Sequence, residues 1–435
     1  PGVFLMHSKR WPQNLQEMTD LVKAAGYKRY SGDKTTLAHL AGVRADAISR
    51  FGRLNKPVFT KAMDHVAKYL PSGLGVWSVE EAIRNLTTVS TSPGECYTGR
   101  YATKAEVPIQ EVDIVTDLLA GGVPLRNVGL FTRTAFKSVV AKETKSRVIC
   151  IPPFGMVVQE KRFAGPLTEA MAERCMVNDN PFGTGFAWFT SHPVILLAKF
   201  QHRNPLSLDF SKFDITVQPY MICEAMRVVK KCFNLSGYDS QIFDSLVYEA
   251  CHPVTTNGHQ PGIISGSAFT HILGSLISAA AIAYAYMIND LEPPLSQTYG
   301  DDAIVADGDL AMITDTLAEH SPLIISAEKS VYGIEWLGLR REGRVWEPLD
   351  PERRMAQLCF PARRDTCVDD VIQRFQCGVI MGGNGAFSNM LLDVLQTNDW
   401  LDTNLKPGSW FELQAFKAYN VGHITNVDRK LKAYW

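Results

Sequence analysis

The stretch Ser296–Asp309, SQTYGDDAIVADGD, sets two adjacent aspartates, Asp301 and Asp302, between a glycine and an apolar run. Its polar approach and the apolar AIVA after it read as a β-hairpin over Gln297–Ala306, turning at Gly300. Successive strand residues face opposite sides, so a strand would split the two carboxylates. A turn at Gly300 can aim the first of them across the sheet. Such a pair is either a solvated turn or part of a metal site. Asp307 and Asp309, at the far end of the stretch, read as a surface turn leading into a helix.

A second acidic pair lies upstream. Asp209 follows the apolar strand PLSL, and Asp214 comes five residues later. On a continuous strand these two would point to opposite faces, so both reach one site only if the chain bends within FSKF. Carboxylates on neighbouring strands can hold two Mg²⁺ about 3.5–4 Å apart, the arrangement of in-line phosphoryl displacement. Mg²⁺ favours one or two carboxylates plus substrate phosphates over an all-protein cage. An EF-hand is excluded, because its alternating oxygen ligands and closing glutamate are missing.

Between the acidic sites runs GIISGSAFTHILGS. Gly266 can take φ > 0 and let backbone approach a ligand. Thr270 and Ser275 follow at helical spacing. A plain N-capping serine before a core helix explains the same residues. The next segment, Phe269–Ile288, is twenty residues long, with His271 its one ionisable group short of tyrosine. Its length suits a membrane span, but its Ala and Ser content and the lack of flanking Lys or Arg favour a helix buried in protein.

Composition bounds the rest. The chain has 435 residues, 46% of them hydrophobic and 20% charged, so two or three subdomains with a large core are expected. Net charge is −1, so a nucleic-acid partner must be met by local basic patches. One exists: Lys137–Arg162 holds six basic and two acidic residues. The nine cysteines form no CxxC pair, which speaks against a zinc ribbon and for a reducing compartment. The N-terminus PGVFLMHSKRWPQ lacks the apolar run of a signal peptide. His252 and His259 read as loop residues.

Helices are expected at Val58–Leu70, Pro166–Met176 with proline at its start, Ile215–Phe233, Leu310–Leu317, Val368–Cys377, Asn389–Gln396 and Trp410–Tyr419. EWLGLRREGRVWEP reads as a second hairpin. Trp410, Phe411 and Phe416 read as core rather than as base-stacking platforms. The absence of regular βαβ alternation argues against a doubly wound sheet.

Taken in order, DxxxxD, SGxxxTxxxxS, YGDD and AEKS resemble the palm motifs of viral RNA-dependent RNA polymerases. Asp209 and Asp214 match the first; Ser265, Gly266, Thr270 and Ser275 the second; Tyr299, Gly300, Asp301 and Asp302 the third; Lys329 the fourth. EWLGLRR is similar to the hairpin that supports a primer. Lys142, Glu143, Lys145 and Arg147 in AKETKSRVI resemble the basic fingers motif, and Thr91, Ser92 and Gly94 in STSPGE the loop at the template entrance. These seven motifs run in the family's order from Ser90 to Arg341. DFSKFD and SGSAFT look most like the double-stranded RNA viruses of the partitivirus and picobirnavirus kind.

The resemblance implies an α+β right-hand polymerase with an antiparallel-sheet palm, fingers and a helical thumb. It implies fingers with fingertips over 1–165, palm over 166–233 and 263–350, a fingers insertion over 234–262, and thumb over 351–435. Asp209 and Asp301 would bind two Mg²⁺ or Mn²⁺ ions, with Asp302 in support. Lys142, Lys145 and Arg147 would meet the incoming triphosphate, and Lys329 would act as general acid toward pyrophosphate. Asp214, Ser265 and Thr270 would read the ribose; Thr91, Ser92, Gly94 and Gly266 would contact template. One position departs from the family: Gly274 stands where an asparagine often precedes the final serine of the second motif. Implied partners are RNA template, nascent RNA, ribonucleoside triphosphates and a capsid protein, in the virion interior or host cytoplasm, with no membrane span. Reverse transcriptases also carry a YxDD turn, but they place a bulky aromatic near the position of Asp214. The other alternative is a non-catalytic RNA-binding or capsid-associated derivative, against which the intact Asp209, Asp301 and Asp302 count.

Overall fold

A computed structural model describes residues 15–398 apart from 31, 33–34, 88, 146, 178, 189, 257, 259–261, 363–364 and 366. His259, the helix expected at Trp410–Tyr419, and the aromatics Trp410, Phe411 and Phe416 lie outside the described residues.

The strands in chain order are β1 (Lys28–Tyr30), β2 (Arg133–Lys137), β3 (Val139–Ala141), β4 (Arg147–Ile151), β5 (Pro205–Leu208), β6 (Ser296–Tyr299), β7 (Asp302–Ala306), β8 (Val331–Tyr332), β9 (Glu335–Trp336), β10 (Leu339–Glu342) and β11 (Val345–Pro348). The central sheet has the order β6-β7-β5-β8, and every ladder in it is antiparallel. No βαβ unit underlies it, as the lack of alternation predicts. EWLGLRREGRVWEP is more than a hairpin: β9, β10 and β11 form a three-stranded antiparallel sheet.

The apolar segment is the central helix Thr270–Ile288, buried along its length from Ile272 to Tyr286. Its hydrophobicity is that of a core element: 83% of its most apolar window is covered by protein. It packs against the helices Lys56–Ala67, Pro219–Lys230 and Leu310–His320 and against β6. Alanines and serines on it keep those neighbours close, which dense packing rewards. Tyr284 spans the layer, its hydroxyl donating to the His320 carbonyl (2.8 Å) and accepting from the Asn55 amide (3.0 Å).

Most expected helices shift at their ends, and at two of them proline chemistry explains a larger difference. Pro166 lies inside a longer helix, Phe154–Glu173, rather than at its start. Proline cannot donate to the carbonyl four residues back. That carbonyl, of Arg162, accepts from the Trp77 amide instead (3.0 Å), so the helix continues. The helix expected over Ile215–Phe233 is two helices, Phe213–Thr216 and Pro219–Lys230. The residue before a proline is disfavoured in helical geometry, and Gln218 is extended there (φ −105°, ψ 156°).

A second core joins the first and last described helices. Met18, Val22 and Tyr27 pack with Val140 and with Met355, Phe375, Phe387 and Leu391 of the C-terminal helices. The antiparallel pair β1–β3 lies beside it. Arg29 donates to Ser138 Oγ (2.8 Å) and to the Phe360 carbonyl. Arg353 Nε donates to the Val140 carbonyl (3.3 Å).

Phe375 is fully buried in this second cluster. Its truncation, Phe375→Ala, is expected to lower stability by about 3–5 kcal/mol. The measurement is the urea midpoint; an unchanged midpoint would mean the cluster does not hold these helices together.

Candidate active site

The hairpin forms where the sequence places it. Tyr299 pairs with Asp302, leaving Gly300 and Asp301 as a two-residue turn. Gly300 has φ +63°, and a positive φ at the first turn position is the type II′ pattern that calls for glycine. On the other side of β7, Leu208 pairs with Ala303. Asp209 therefore emerges from β5 beside Asp302, with Asp301 at the tip next to both. The bend required in FSKF is present: Lys212 has φ +51°, and the helix Phe213–Thr216 begins directly after it. This returns Asp214 toward the same end of the sheet.

Asp209, Asp301, Asp302 and Lys329 line one cleft of about 80 Å³, with Glu335 and Trp336 on its wall. The carboxylates interact strongly. Asp302 is pushed up to about 7 by its surroundings, first by desolvation at the cleft floor and then by Asp301, Asp209 and Glu335. Asp301 is raised by desolvation and by Asp209, against the pull of its own backbone amide and of Arg147. Asp214 is pushed up to about 6 by burial and by Asp301, again opposed by Arg147. Arg147, at the start of β4, thus faces both Asp214 and Asp301. Lys145 is lowered by desolvation and then by Arg353, Lys212 and Lys329, so four cations share one neighbourhood. Opposed acidic and basic sets of this kind mark functional clefts more often than structural ones.

The turn is held from behind. Ser275 Oγ accepts from the Gly300 amide (2.8 Å), and Ser278 Oγ donates to the Gly300 carbonyl (2.7 Å). Gly274 explains how the helix comes so close, because a Cβ there would stand 3.1 Å from the Gly300 Cα. Asp209 is anchored by Ser330, whose hydroxyl accepts from its amide (3.0 Å), while the Asp209 carbonyl accepts from Ser326 (2.8 Å).

The loop before the central helix has a different logic from the one expected. Gly266 is not among the residues with positive φ. Glycine is needed because a Cβ would stand 2.4 Å from the Cys150 carbonyl oxygen and 2.9 Å from Pro152. Ser265 Oγ accepts from the Cys150 amide (2.8 Å), tying the loop to β4. The Thr270 hydroxyl donates to the carbonyls of Ile264 and Ser267 (2.7 Å each), so here it shapes the loop. Gly94, with φ +115°, packs against the same Pro152, 3.1 Å from a Cβ to its carbonyl. Thr91 and Ser92 lie half-buried beside it, with the Lys104 amide on the Thr91 carbonyl (2.9 Å). The expected template loop and the Ser265–Gly266 loop therefore meet on one proline.

Some residues fall elsewhere or were missed. Lys142 ion-pairs with Glu352 (2.8 Å) and lies over the Tyr27 ring, engaged with the C-terminal helices rather than aimed at the cleft. Glu335, Ser278, Ser330, Lys212 and Arg353 were not singled out in sequence. Glu335 and Ser330 lie inside motifs that were read, but only the strand register shows which way they face. Asp309 caps the helix Leu310–His320 by accepting from Met312 N, and Asp307 pairs with Arg203, as a surface turn should. His252 closes a helix and stacks on Tyr248.

Against this geometry stand the likenesses to known proteins. The viral RNA-dependent RNA polymerase model matches residues 81–324, more than half of the chain. The chain belongs to the viral RNA-dependent RNA polymerases. Over 271 residues, 57% of the chain, it is 23% identical to the genome polyprotein of Human klassevirus 1, of which it spans 11%. Over 115 residues, 25% of the chain, it is 30% identical to the RNA-directed RNA polymerase of Cryptosporidium parvum virus 1 (strain KSU-1), spanning 22% of it. The chain thus covers a small part of the length of these relatives. The fold is similar to the sicinivirus 3Dpol RNA-dependent RNA polymerase, with TM-score 0.63 and 15% identity over 83% of this chain and 84% of that one. It is also similar to the RNA-dependent RNA polymerase of a human picobirnavirus, with TM-score 0.55 and 14% identity over 86% and 78%. The right-hand polymerase fold expected from the motifs is the fold observed.

Ser275→Ala would leave the buried Gly300 amide without its acceptor. A loss of about 1–3 kcal/mol in urea denaturation is expected. Wild-type stability in this variant would show that the helix does not hold the turn.

Proposed function

We propose that this chain joins ribonucleoside triphosphates on an RNA template by in-line nucleotidyl transfer, replicating and transcribing a viral RNA genome. The observation that carries this reading is the meeting of Asp209, Asp301 and Asp302 at one end of an antiparallel sheet, opposite a cluster of cations.

The donor set suits divalent metal. Among the described residues no three acidic, His or Cys side chains form a preformed cage. An open carboxylate set matches Mg²⁺, which completes its shell with substrate phosphates and water. The raised Asp301 and Asp302 carboxyls have the mutual repulsion that a cation would relieve. Asp209 and Asp301 would hold two Mg²⁺ or Mn²⁺ ions, with Asp302 in support. Bound metal would activate the primer 3′-hydroxyl and neutralise charge at the reacting phosphate.

The chain's own residues do the rest. Arg147 offers a planar fork to triphosphate oxygens, and Lys145 a point charge beside it. Asp214, ionised at neutral pH, can accept a hydrogen bond from a ribose 2′-hydroxyl. Ser265 accepts from Cys150 through oxygen and keeps its O–H to donate. Lys329, exposed on the cleft rim, would pass a proton to the leaving pyrophosphate. In this reading fingers precede about residue 165 and return at 234–262, palm segments 166–233 and 263–350 carry the carboxylates, and the thumb follows 351. A capsid protein would be a further partner, in the virion interior or host cytoplasm.

Primer extension on an RNA template with Mg²⁺ tests the reading. Wild type is expected to incorporate, and Asp301→Ala to lose activity by at least about a thousandfold; equal rates would sink the proposal. Deoxynucleotides in the same assay should be used poorly, and equal use of both sugars would overturn the role of Asp214.

A pH effect follows from Asp302. Its native pKa is raised, so between the ordinary aspartate value and about 7 the folded metal-free protein holds a proton that the unfolded chain has lost. This contribution to stability is lost as pH rises through about 7. Mg²⁺ should therefore raise the melting temperature more at pH 8 than at pH 5, by differential scanning fluorimetry. Equal shifts at both would place the bound metal away from Asp302.

A further inference from the structure

Glu160 is a charged residue in the middle of the helix Phe154–Glu173, and it is 1% exposed. A buried carboxylate is costly unless hydrogen-bonded, and an apolar residue would fill a helix interior at less cost. Both of its oxygens are used on one loop. Oε1 accepts from the Ser267 hydroxyl (2.8 Å) and Oε2 from the Ala268 amide (2.8 Å). Ser267 Oγ in turn accepts from the Phe269 amide (3.1 Å), at the start of the central helix.

The same loop is held at a second point. Ser265 accepts from Cys150, and Gly266 rests on the Cys150 carbonyl. Cys150 and Glu160 belong to one continuous run, from β4 through Pro152–Pro153 into the helix. The two attachments therefore triangulate the loop against β4, which carries Arg147. Loss of either would let Ser265 and Gly266 rotate relative to Arg147.

We propose that Glu160 is a positioning residue for nucleotide binding, keeping the Ser265–Gly266 loop aligned with Arg147 through Ser267 and Ala268. This rests on the polymerase reading above, and protonation of Glu160 loosens the attachment, because the charged acceptor shared by both donors is lost. The ionised carboxylate accepts from both donors. The protonated acid presents one acceptor and one donor, so Ser267 must reverse its hydroxyl or release it.

Burial pushes Glu160 up to about 7, with its two hydrogen bonds pulling the other way. The packed helices bring other charges: Glu80, Glu81 and Arg84 from Val79–Arg84; Glu111, Asp113 and Asp117 from Ile109–Ala120; Asp239, Asp244 and Glu249 from Gly237–Cys251. None of these acts on Glu160. Arg162, two residues along, is engaged with Asp239 (2.8 Å) and the Trp77 carbonyl. The proton equilibrium is thus read by the loop alone.

Glu160→Gln copies the protonated acid. The experiment is steady-state primer extension from about pH 6 to about pH 8.5, with KM for the nucleotide and kcat resolved separately. At pH 8 the variant should show a KM about tenfold above wild type with kcat within about twofold, and the two KM values should converge at pH 6. Asp214 and Asp302 titrate in both proteins, so their effects cancel in the comparison. A variant whose KM profile overlays wild type, or which loses kcat alone, overturns the proposal. Should Glu160→Gln fail to fold, Ser267→Ala serves: removing one donor raises the Glu160 pKa, so the acidic rise in KM should begin at higher pH. An unmoved rise overturns the proposal. Absence of incorporation by wild type at every pH overturns the polymerase reading instead.

Discussion

Two serine hydroxyls on a buried helix grip the Gly300 peptide, Ser275 at its amide and Ser278 at its carbonyl. A two-residue hairpin turn on its own would sway with its strands. Here it is fastened to a helix buried along most of its length. The position of Asp301 is therefore set by core packing, and the strands supply only the register. Gly274 belongs to the same constraint, since a side chain there would push the turn away from the helix.

Charge separation is the second constraint. Across the whole chain the charges nearly balance, at −1, yet the cleft sorts them. Asp209, Asp301, Asp302 and Glu335 lie on one side, where Asp209 raises the proton affinity of Asp301, and Asp301, Asp209 and Glu335 raise that of Asp302. Arg147, Lys145, Lys212 and Arg353 form the cationic set, and Lys329 belongs to it while lining the cleft with the carboxylates. Lys145 and Arg147 come from one basic stretch, but Lys212, Lys329 and Arg353 come from three others, so the full set gathers only after folding. A polyanion that brings metal cations with it satisfies both sides at once.

Two loops meet on the run that carries Arg147. Gly94 and Gly266 both pack on Pro152, and Glu160 holds Ser267 and Ala268 a short distance further on. The strand–proline–helix run from Arg147 to Glu160 is thus the frame against which the Gly94 and Gly266 loops are set. Lys142, which begins the same basic segment, reaches the opposite way to Glu352 and joins the second core.

The hairpin at Gly300, the bend at Lys212 and the order of the acidic motifs were legible in the chain because each depends on local rules. A positive φ needs glycine, a change of period marks a strand-to-helix junction, and carboxylates at set spacing need a turn to converge. Residues whose role depends on distant neighbours were not legible. Arg29 and Phe360 are 331 positions apart, and nothing in either neighbourhood points to the other. Pro166 and Gly266 were misread for the same reason: a free Trp77 amide lets the helix run through the one, and the Cys150 carbonyl leaves no room beside the other. Amino-acid order alone settled which carboxylates are present and where the chain must turn for them to converge. Tertiary packing settled their orientation, their cationic counterparts and the buried supports of Gly300 and Ser267, because hydrogen bonds and charge pairs across the core form only between segments that folding brings together.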